Sequence, residues 1–352
     1  MTFAEGRALF PVLDRIAYLN AGSVGPLARP VLETVQAEEE RGLHEGRGGL
    51  AAFERTLAMR AEVRSVIAGL VGAEAEQVAL TASTTDGCNI VVAGLGLGPE
   101  DEVVTTDAEH FGLIGPLHAS GARVVVSAPD SESILAAVTP RTRLIALSHV
   151  LWTTGRVLPV AELRERSGVP VLADGAQSVG AIPATAAGVD FYTVSGQKWL
   201  CGPDGTGALV VAEPERLRVA RPSYLSQARH EPDGSFVPRD GAARFEPNWL
   251  AAPLLAGLLT AIDVRPDWAH ERAAATADGF REALADRVEV LPGGATLVAF
   301  RPPDGEAAGA VVDRLAAQGV VIRELPGRDL LRASVGWWTN DDDLERLVAG
   351  VA

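Results

Sequence analysis

Lys198 follows shortly after an apolar run, Phe191–Val194, and Asp174 directly follows another, Val169–Ala173. If both runs are buried neighbouring strands, an amine and a carboxylate meet at one sheet edge. A lysine forms an imine with an aldehyde, and an acid can hold a ring nitrogen protonated, which is the pairing that pyridoxal phosphate (PLP) requires. A buried carboxylate without such a partner would be costly.

A hydroxyl run lies where another strand gives way to a helix, at Ser83, Thr84 and Thr85. The N-terminus of a helix offers free N–H groups and a favourable dipole to a phosphate, although an ordinary helix cap is the alternative. Lys198 alone could equally be a surface lysine, and Asp174 alone a turn cap. Their occurrence with the hydroxyl run on successive strand ends favours the cofactor hypothesis.

Further polar residues follow the same strands. Gln177 could bond the phenolic oxygen of the cofactor, and His110, just past the strand that ends near Thr105, could stack on its ring. A single histidine after a strand is otherwise a polar loop residue. Ser195 and Gln197 flank the lysine with groups suited to phosphate oxygens.

Composition excludes several classes of protein. The chain has 352 residues, 47% of them hydrophobic, and a net charge of −15, so there is no general basic footprint for nucleic acid. Two cysteines, Cys88 and Cys201, do not suggest a disulfide framework. The start, Met1–Arg7, lacks a signal-peptide pattern, and no apolar run approaches the roughly 20 residues of a membrane helix. We therefore expect a soluble, cytoplasmic protein.

The first two thirds of the chain alternate helix-like segments with short apolar strands. Helices are expected at Arg29–Glu40 and Phe53–Leu70. Apolar strands without strict alternation predict a mostly parallel sheet covered on both faces, with ligands at the carboxyl ends of the strands. The predicted strands are 78–80, 101–105, 122–126, 144–148, 169–173, 191–194 and 207–211.

The pattern changes near residue 253. Helices are expected at 253–262, 268–285, 307–318 and 341–349, with strands at 296–300, 320–324 and 331–335. The predicted fold is thus α/β, with a mostly parallel sheet in a large domain and a smaller α+β domain at the C-terminus. We expect residues 1–20 to pack with the small domain, 21–252 to form the PLP-binding domain, and 253–352 the small domain.

Most of the chain, from Tyr18 through Ser334, resembles the class V aminotransferase group of fold-type I PLP enzymes. This group includes cysteine desulfurases, C–S lyases and isopenicillin N epimerase-like proteins. The resemblance implies that Lys198 is the Schiff-base lysine, Asp174 the partner of the ring nitrogen, Gln177 the contact of the phenolic oxygen and His110 the stacking residue. The matching motifs are Ser83-Thr-Thr85, Glu109-His110, Ser148-His-Val150, Asp174-Gly-Ala-Gln177 and Ser195-Gly-Gln-Lys198.

The same resemblance assigns the phosphate to Thr84, Thr85, Ser195 and Gln197, together with Ser83. It implies that Arg332 clamps the carboxylate of a small amino-acid substrate, a task that suits a planar guanidinium, with Arg323 as the rival. Asn20 and Trp152 are further candidates for substrate contact. Members of the group are usually homodimers. Whether Asn248 or Trp249 reaches the partner's site is left open.

Several positions differ from the usual motifs of the group, and these differences limit which reactions the chain is expected to catalyse. Desulfurases carry a cysteine on a small-domain loop before the carboxylate arginine, but Glu324–Arg332 is short and has none. A Gly-Thr turn common in the group is replaced at Arg244–Trp249, and an Asn common after the His-Val motif is replaced around Trp152. These features are more similar to the branch of C–S lyases and isopenicillin N epimerase-like proteins. Within that branch we favour a PLP-dependent C–S β-lyase acting on cysteine-like or cysteine-conjugate substrates. Transamination and epimerisation remain alternatives that use the same residues.

Rival classes have weaker signals. A nucleophile elbow around Ser178 lacks its first glycine, which is Ala176, so a hydrolase is disfavoured. The glycines of 94–98 are followed by Pro99 rather than a helix start, so the dinucleotide fingerprint fails. No zinc-ligand spacing is present. A non-catalytic PLP-binding relative is the remaining alternative, and intact Lys198 and Arg332 count against it.

Overall fold

The structure, a computed structural model, describes residues 1–351. In chain order the strands are β1 (Ala17–Tyr18), β2 (Val78–Thr81), β3 (Glu102–Thr106), β4 (Arg123–Ser127), β5 (Thr142–Ser148), β6 (Val171–Asp174), β7 (Phe191–Ser195), β8 (Gly207–Val211), β9 (Gln227–His230), β10 (Phe236–Pro238), β11 (Leu297–Phe300), β12 (Val320–Val321), β13 (Arg323–Leu325) and β14 (Leu330–Ser334). The helices are α1 (Phe3–Ala8), α2 (Arg29–Glu45), α3 (Leu50–Val71), α4 (Thr84–Leu95), α5 (Phe111–Ala119), α6 (Ser131–Ala136), α7 (Val160–Ser167), α8 (Ala252–Asp263), α9 (Ala269–Ala285), α10 (Ala308–Ala317) and α11 (Asp341–Val351).

The large sheet has the strand order β2-β8-β7-β6-β5-β3-β4. Strands β7, β6, β5, β3 and β4 pair in parallel, and β8 alone runs antiparallel to both of its neighbours. The expected mostly parallel α/β sheet is therefore confirmed. Its parallel strands end at one edge, where the loops that follow them carry the predicted site residues.

Both faces of this sheet are buried, which explains why its strands are apolar almost throughout. Along β5, Ile145 enters a core shared with α3, α7 and α8, whereas the adjacent Leu144 enters a second core under α4 and α5. Alternate side chains thus anchor the strand from two sides. No helix within residues 1–351 is both long and apolar enough to cross a membrane.

The C-terminal part forms a three-stranded antiparallel sheet with the order β11-β14-β13. Helices α9, α10 and α11 cover it, burying Phe280, Leu315 and Leu347 against Phe300. The single strand expected at 320–324 is instead two strands. Its first half, β12, pairs in parallel with β1, and its second half, β13, pairs with β14, so this segment belongs to two sheets.

The N-terminal segment therefore contacts the C-terminal part directly. Beyond the β1–β12 pair, Asn20 forms a parallel bridge with Ser334, and Phe10 packs on Trp337 and Trp338 with ring centroids 5.5 Å apart in each case. These contacts support the proposal that the first 20 residues pack with the small domain. The domain boundaries themselves stay a prediction.

Candidate active site

Strands β2, β3, β5, β6 and β7 end around one cavity of about 190 Å³. Each residue predicted to bind the cofactor contributes to its wall, although they come from four separate strand ends. The lining residues are Ser83, Thr84, Thr85, His110, Ser148, Val150, Trp152, Asp174, Ala176, Gln177, Ser195, Gln197 and Lys198. We refer to this space as the cofactor cavity.

A second cavity, of about 160 Å³, adjoins the first and is called the anion cavity below. His110, Trp152, Gln177 and Lys198 line both. The remaining walls are Gly22, Ser23, Arg323 and Arg332. Both candidate carboxylate arginines thus lie beside the lysine.

Lys198 lies on the loop between β7 and β8, and its side chain is partly buried. Burial lowers the pKa of Lys198 from its ordinary value to about 8; Arg332 and Arg323 act in the same direction, and Asp174 opposes them. Gly25 packs against this loop, since its N–H donates to the Gln197 carbonyl at 2.7 Å and any Cβ there would overlap the Lys198 carbonyl oxygen.

Asp174 is the last residue of β6 and is only 4% exposed. Its Oδ1 accepts hydrogen bonds from the Thr193 hydroxyl at 2.9 Å and from the Ala176 N–H at 3.0 Å. These two bonds fix the rotation of the carboxylate. Thr193 was missed by the sequence analysis, because its neighbour on the adjacent strand cannot be known before the strand order is known.

Gln177 is held at both ends of its amide. Its Oε1 accepts from the indole N–H of Trp199 at 2.9 Å, and its Nε2 donates to the Gly22 carbonyl at 2.8 Å. Because an indole N–H can only donate, these partners settle which end of the amide is which. One Nε2 proton remains for a ligand in the cofactor cavity.

One end of the cofactor cavity is the first turn of α4, where the sequence predicts a phosphate. Ser83 is the N-cap, and its hydroxyl accepts from the Asp86 N–H at 3.1 Å. Thr84 and Thr85 are the first two helical residues, so their N–H groups have no helical acceptor. Across the cavity, the Ser195 hydroxyl donates to Gln197 Oε1 at 2.8 Å, which leaves the Gln197 amide protons free to donate.

His110 is the N-cap of α5, and its Nδ1 accepts from the Gly112 N–H at 3.1 Å. Desolvation and the nearby Lys198 lower the pKa of His110, so the neutral ring with its proton on Nε2 is favoured. The edge of Trp152 meets this ring, with centroids 5.2 Å apart and an interplanar angle of 83°. Trp152 therefore fixes the histidine at the junction of the two cavities.

Arg332 is a fully buried cation. Its Nη1 donates to the Trp152 carbonyl at 2.8 Å, whereas Nε and Nη2 have no partner among residues 1–351. Desolvation, together with Arg323, lowers the pKa of Arg332 to about 9. A buried guanidinium with unused donors beside a cavity is a site for an anion.

Arg323 and Asn20 are connected through one hydroxyl. Arg323 Nη1 donates to the Ser23 hydroxyl at 3.1 Å, and that hydroxyl donates to Asn20 Oδ1 at 2.9 Å. The Arg323 guanidinium also lies 5.7 Å from the ring centroid of Trp152. Asn20 itself lies outside the walls of both cavities, so its link to the anion cavity runs through Ser23.

Glu109 is a buried residue next to His110 that forms three hydrogen bonds. Its carboxylate accepts from the Ser148 hydroxyl at 2.5 Å, the Ser148 N–H at 3.0 Å and the Thr106 hydroxyl at 2.8 Å. Burial raises the pKa of Glu109 to about 7, although these bonds oppose the rise. The sequence analysis quoted Glu109 only as part of a motif; the structure shows that it ties the end of β3 to the end of β5.

Both cysteines are buried, and burial raises the pKa of each thiol. Cys88 lies on α4, and Cys201 lies on the same loop as Lys198. The turn between β13 and β14 contains no cysteine. The guanidinium of Arg328 in this turn donates to the Asp107 carbonyl at 2.6 Å, so the turn contacts the loop that follows β3.

One signal in the sequence was overlooked: Lys198 is the only lysine in the 352 residues. Every other side-chain ammonium or guanidinium cation of the chain is an arginine. A chain that uses arginine elsewhere but keeps one lysine, at a strand end and facing an acid, points to an amine chemistry that a guanidinium cannot perform.

Parallel strands that bring a lone lysine, a buried acid and a hydroxyl-lined helix start to one cavity define a fold-type I PLP enzyme. The chain belongs to the aminotransferase class-V family, whose sequence model matches residues 17–301. Isopenicillin N epimerase of Streptomyces clavuligerus is 30% identical to it over 98% of this chain and 96% of that protein.

Solved structures show the same fold. The complex of the cystine C–S lyase C-DES with its reaction product cysteine persulfide has a TM-score of 0.89 at 28% identity, covering 97% of this chain and 98% of that one. A mutant of C-DES with glycine covalently linked to its PLP cofactor gives a TM-score of 0.90. The cysteine desulfurase CsdA of Escherichia coli gives 0.86 at 26% identity, covering 100% of this chain and 98% of that one.

Proposed function

We propose that this enzyme is a PLP-dependent C–S β-lyase whose substrate is a cysteine derivative with two carboxylates, such as L-cystine. The observation that carries the proposal is the pair of arginines, Arg323 and Arg332, in the anion cavity next to Lys198. Neither has an acidic partner among residues 1–351. Two cations without counter-ions match a ligand that brings two negative groups.

The residues of the cofactor cavity fit PLP in charge and hydrogen bonding. The first turn of α4, with Ser83, Thr84 and Thr85, offers N–H and hydroxyl donors to a phosphate, and Ser195 and Gln197 face it. Asp174 lies at the other end as a charged acceptor for a ring nitrogen, and Lys198 supplies the amine. When bound, PLP acts as an electron sink that stabilises a carbanion at the substrate α-carbon.

Each of these side chains has a definite task in the proposed reaction. Lys198, with its pKa lowered to about 8, would hold the cofactor through its amine and, when that amine is free, would serve as the base for the α-proton. Asp174 would keep the ring nitrogen protonated. The free Nε2 proton of Gln177 would be available to the phenolic oxygen, and the neutral His110 would stack on the ring.

The substrate is oriented by its carboxylates. Arg332 has two unused donors for the α-carboxylate, and Arg323 lies opposite it for the distal one. With the α-proton held on Lys198, the Cβ–S bond would break and its electron pair would leave on sulfur. Hydrolysis of the three-carbon remainder would give pyruvate and ammonia, and cystine would release cysteine persulfide as the sulfur product.

A desulfurase-type reaction is not proposed, because it needs a thiolate that attacks the substrate sulfur. Cys88 and Cys201 are both buried with raised pKa values, and neither lies on the turn between β13 and β14. Epimerisation is the second candidate, favoured by the full-length similarity to isopenicillin N epimerase. It would use the same Lys198 and Asp174 but return the α-proton instead of expelling sulfur.

We also propose a homodimer with the cofactor cavities near the interface. Three large aromatic side chains are each more than half exposed: Phe111, which follows His110 in the chain, Tyr224 and Trp249. Exposed aromatic side chains of this size are typical of interfaces. Light scattering of the purified protein measures the mass in solution, and a monomer at micromolar concentration would contradict the proposal.

The test begins with cofactor attachment. Purified protein is loaded with PLP, reduced with borohydride and analysed by mass spectrometry, beside Lys198→Ala. Because the chain has one lysine, a single reduced adduct that maps to Lys198 and is absent from the variant is the expected result. Absence of any adduct would contradict the cofactor assignment.

The loaded enzyme is then incubated with L-cystine, L-cysteine and L-alanine. We expect pyruvate and persulfide from cystine, and a much lower kcat/KM for pyruvate from cysteine, which has one carboxylate. Accumulation of the pyridoxamine form would identify a transaminase, and conversion of L-alanine to its D-enantiomer without pyruvate from cystine would identify an epimerase; either result excludes the lyase.

A further inference from the structure

Thr193 contacts Asp174, the acid on which the proposed chemistry depends. It is fully buried in β7, and its hydroxyl donates to Asp174 Oδ1 at 2.9 Å while it accepts the Gly175 N–H at 3.1 Å. A single hydroxyl therefore connects the carboxylate to the backbone of the turn that follows it. A donated hydrogen bond to Oδ1 favours the charged carboxylate and leaves Oδ2 for another donor.

The turn after Asp174 has no room to adjust on its own. A Cβ on Gly175 would lie 2.5 Å from Tyr192 Cε1 and would overlap the Thr193 carbonyl oxygen, so this turn rests on β7 itself. The Thr193 methyl group in turn packs against α4, because a Cβ on Gly87 would be 3.0 Å from Thr193 Cγ2. The orientation of Thr193 is thus set by the sheet on one side and by the phosphate-end helix on the other.

A neighbouring residue supplies a natural comparison. Tyr192, one position earlier in β7, shares hydrogen bonds of 2.6 Å with the Ser178 hydroxyl and with Nδ1 of His149. It contacts the same 174–178 turn, but it has no hydrogen bond to the Asp174 carboxylate among the described residues. Tyr192 therefore supports the turn, whereas Thr193 acts on the carboxylate.

We propose that Thr193 is a positioning residue that fixes the orientation of the Asp174 carboxylate, and through it the strength with which a ring nitrogen would keep its proton. The inference rests on the proposed cofactor role of Asp174. Without the Thr193 hydroxyl, Oδ1 keeps only the Ala176 N–H as a donor, so the carboxylate can rotate away from the ring nitrogen. The ring nitrogen would then be protonated less fully, and the positive charge that it would place near the Lys198 amine would be weakened.

Comparison of Thr193→Ser with Thr193→Ala measures the effect of the hydroxyl alone. Both variants lack the methyl group, and only the serine keeps the oxygen. Three quantities are measured: the PLP dissociation constant, the pH midpoint of the visible absorption band of the loaded protein, and the melting temperature without cofactor. For Ala relative to Ser we expect PLP binding weaker by about tenfold, the size of one hydrogen bond to a charged group. We also expect the band to titrate at higher pH, because the ring carries less positive charge.

Tyr192→Phe is the matched control for a structural effect. It should lower the melting temperature of the cofactor-free protein, since Ser178 and His149 lose a partner, and leave the band midpoint unchanged. Should Thr193→Ala fail to fold, Thr193→Val keeps the methyl group against Gly87 and serves as the hydroxyl-free variant.

Equal PLP affinity and equal band midpoint in the Ser and hydroxyl-free variants would overturn the role of Thr193. A midpoint that moves in Tyr192→Phe as much as in Thr193→Ala would do the same, because the effect would then belong to the turn. If the unmodified protein itself forms no borohydride-stable adduct at Lys198, the proposed function fails, and that result is distinct from either of these.

Discussion

Arg323 and Arg332 face each other as a register pair across the antiparallel strands β13 and β14. Like charges directly opposite in a sheet are unfavourable, and each arginine lowers the pKa of Lys198. Among residues 1–351, the Arg332 guanidinium has one hydrogen-bond acceptor, the backbone carbonyl of Trp152. This arrangement is reasonable only if a ligand supplies the missing negative charge, and the predictions below begin from it.

Replacing Arg332 with glutamine should remove the site of the α-carboxylate. The KM for cystine is expected to rise at least about tenfold, the cost of losing a hydrogen bond between charged groups. PLP affinity should stay unchanged, since Arg332 lies outside the cofactor cavity. Arg332→Lys, which keeps the charge but not the planar fork, should recover only part of the loss. Steady-state kinetics measure both, and equal KM values in Arg332→Gln and the parent enzyme would refute the assignment.

Arg323→Gln should change substrate preference more than general activity. With the distal cation removed, kcat/KM for cystine is expected to fall about tenfold, while the value for a cysteine S-conjugate with one carboxylate stays nearly constant. The measurement is the ratio of the two kcat/KM values in parent and variant. An equal decrease in kcat/KM for both substrates would show that Arg323 does not bind the second carboxylate.

Substitutions at two glycines of the N-terminal segment should affect the anion cavity and the cofactor cavity separately. A Cβ on Gly22 would lie 2.7 Å from Arg332 Nη2 and 2.9 Å from the Ser334 hydroxyl, so Gly22→Ala should raise KM and spare PLP binding. Gly25→Ala would instead displace the Lys198 loop and should weaken PLP binding. Titration of PLP absorbance together with substrate kinetics distinguishes these effects; the reverse pattern would contradict the placement of the segment.

Loading of the cofactor-free protein should depend on pH through Lys198. Only the neutral amine attacks an aldehyde, and the pKa of Lys198 is lowered to about 8, so the loading rate should rise with pH and level off above about 8. The reaction of PLP with Nα-acetyllysine, whose pKa is about 10.4, serves as the reference, because it shows how the titration of PLP itself changes the rate with pH. In Arg332→Gln the midpoint should move upward, because a neighbouring cation that disfavours the ammonium form is gone. A midpoint identical to that of Nα-acetyllysine would rule out a perturbed lysine.

A buried ion pair is expected to matter for stability rather than catalysis. Glu246, 2% exposed, accepts from Arg60 at 2.5 Å, from Arg64 at 2.8 Å and from the Leu80 N–H at 3.1 Å. Glu246→Ala should lower the free energy of unfolding by about 3–5 kcal/mol, because it leaves the buried Arg60 without a counter-ion. Urea unfolding measures the change. Arg64→Ala, at the more exposed end, should cost about 1 kcal/mol or less, and an equal cost would contradict the burial argument.

Local patterns in the sequence were sufficient for the fold class and the order of most elements. The apolar runs at β5, β6 and β7 predicted a sheet covered on both faces, and the matching motifs predicted the family; both are confirmed. Helices were predicted slightly short: α2 ends at Glu45 rather than Glu40, because its last turns are polar and carry no apolar stripe. The roles of the individual site residues stay predictions.

Contacts between distant segments could not be read from the sequence. The reversal of β8, the division of 320–324 between β1 and β14, and the two partners of Gln177 depend on which strands become neighbours. The same holds for Arg332, since the sequence shows a cation but not the absence of acids around it. The hairpin of β9 and β10 was missed as well, because its strands are short and mostly exposed.

Because the chain has a single lysine, its surface offers few amines to reactive carbonyl compounds. Free aldehydes and the keto acids of amino-acid metabolism modify proteins mainly through exposed ammonium groups, and this chain offers one ε-amine, in its own cavity, besides the α-amine of Met1. Amine-reactive dyes and dialdehyde cross-linkers should therefore report on occupancy of that cavity rather than on the surface. The fraction of enzyme that is protected from labelling at Lys198 would then equal the fraction of cavities that are occupied.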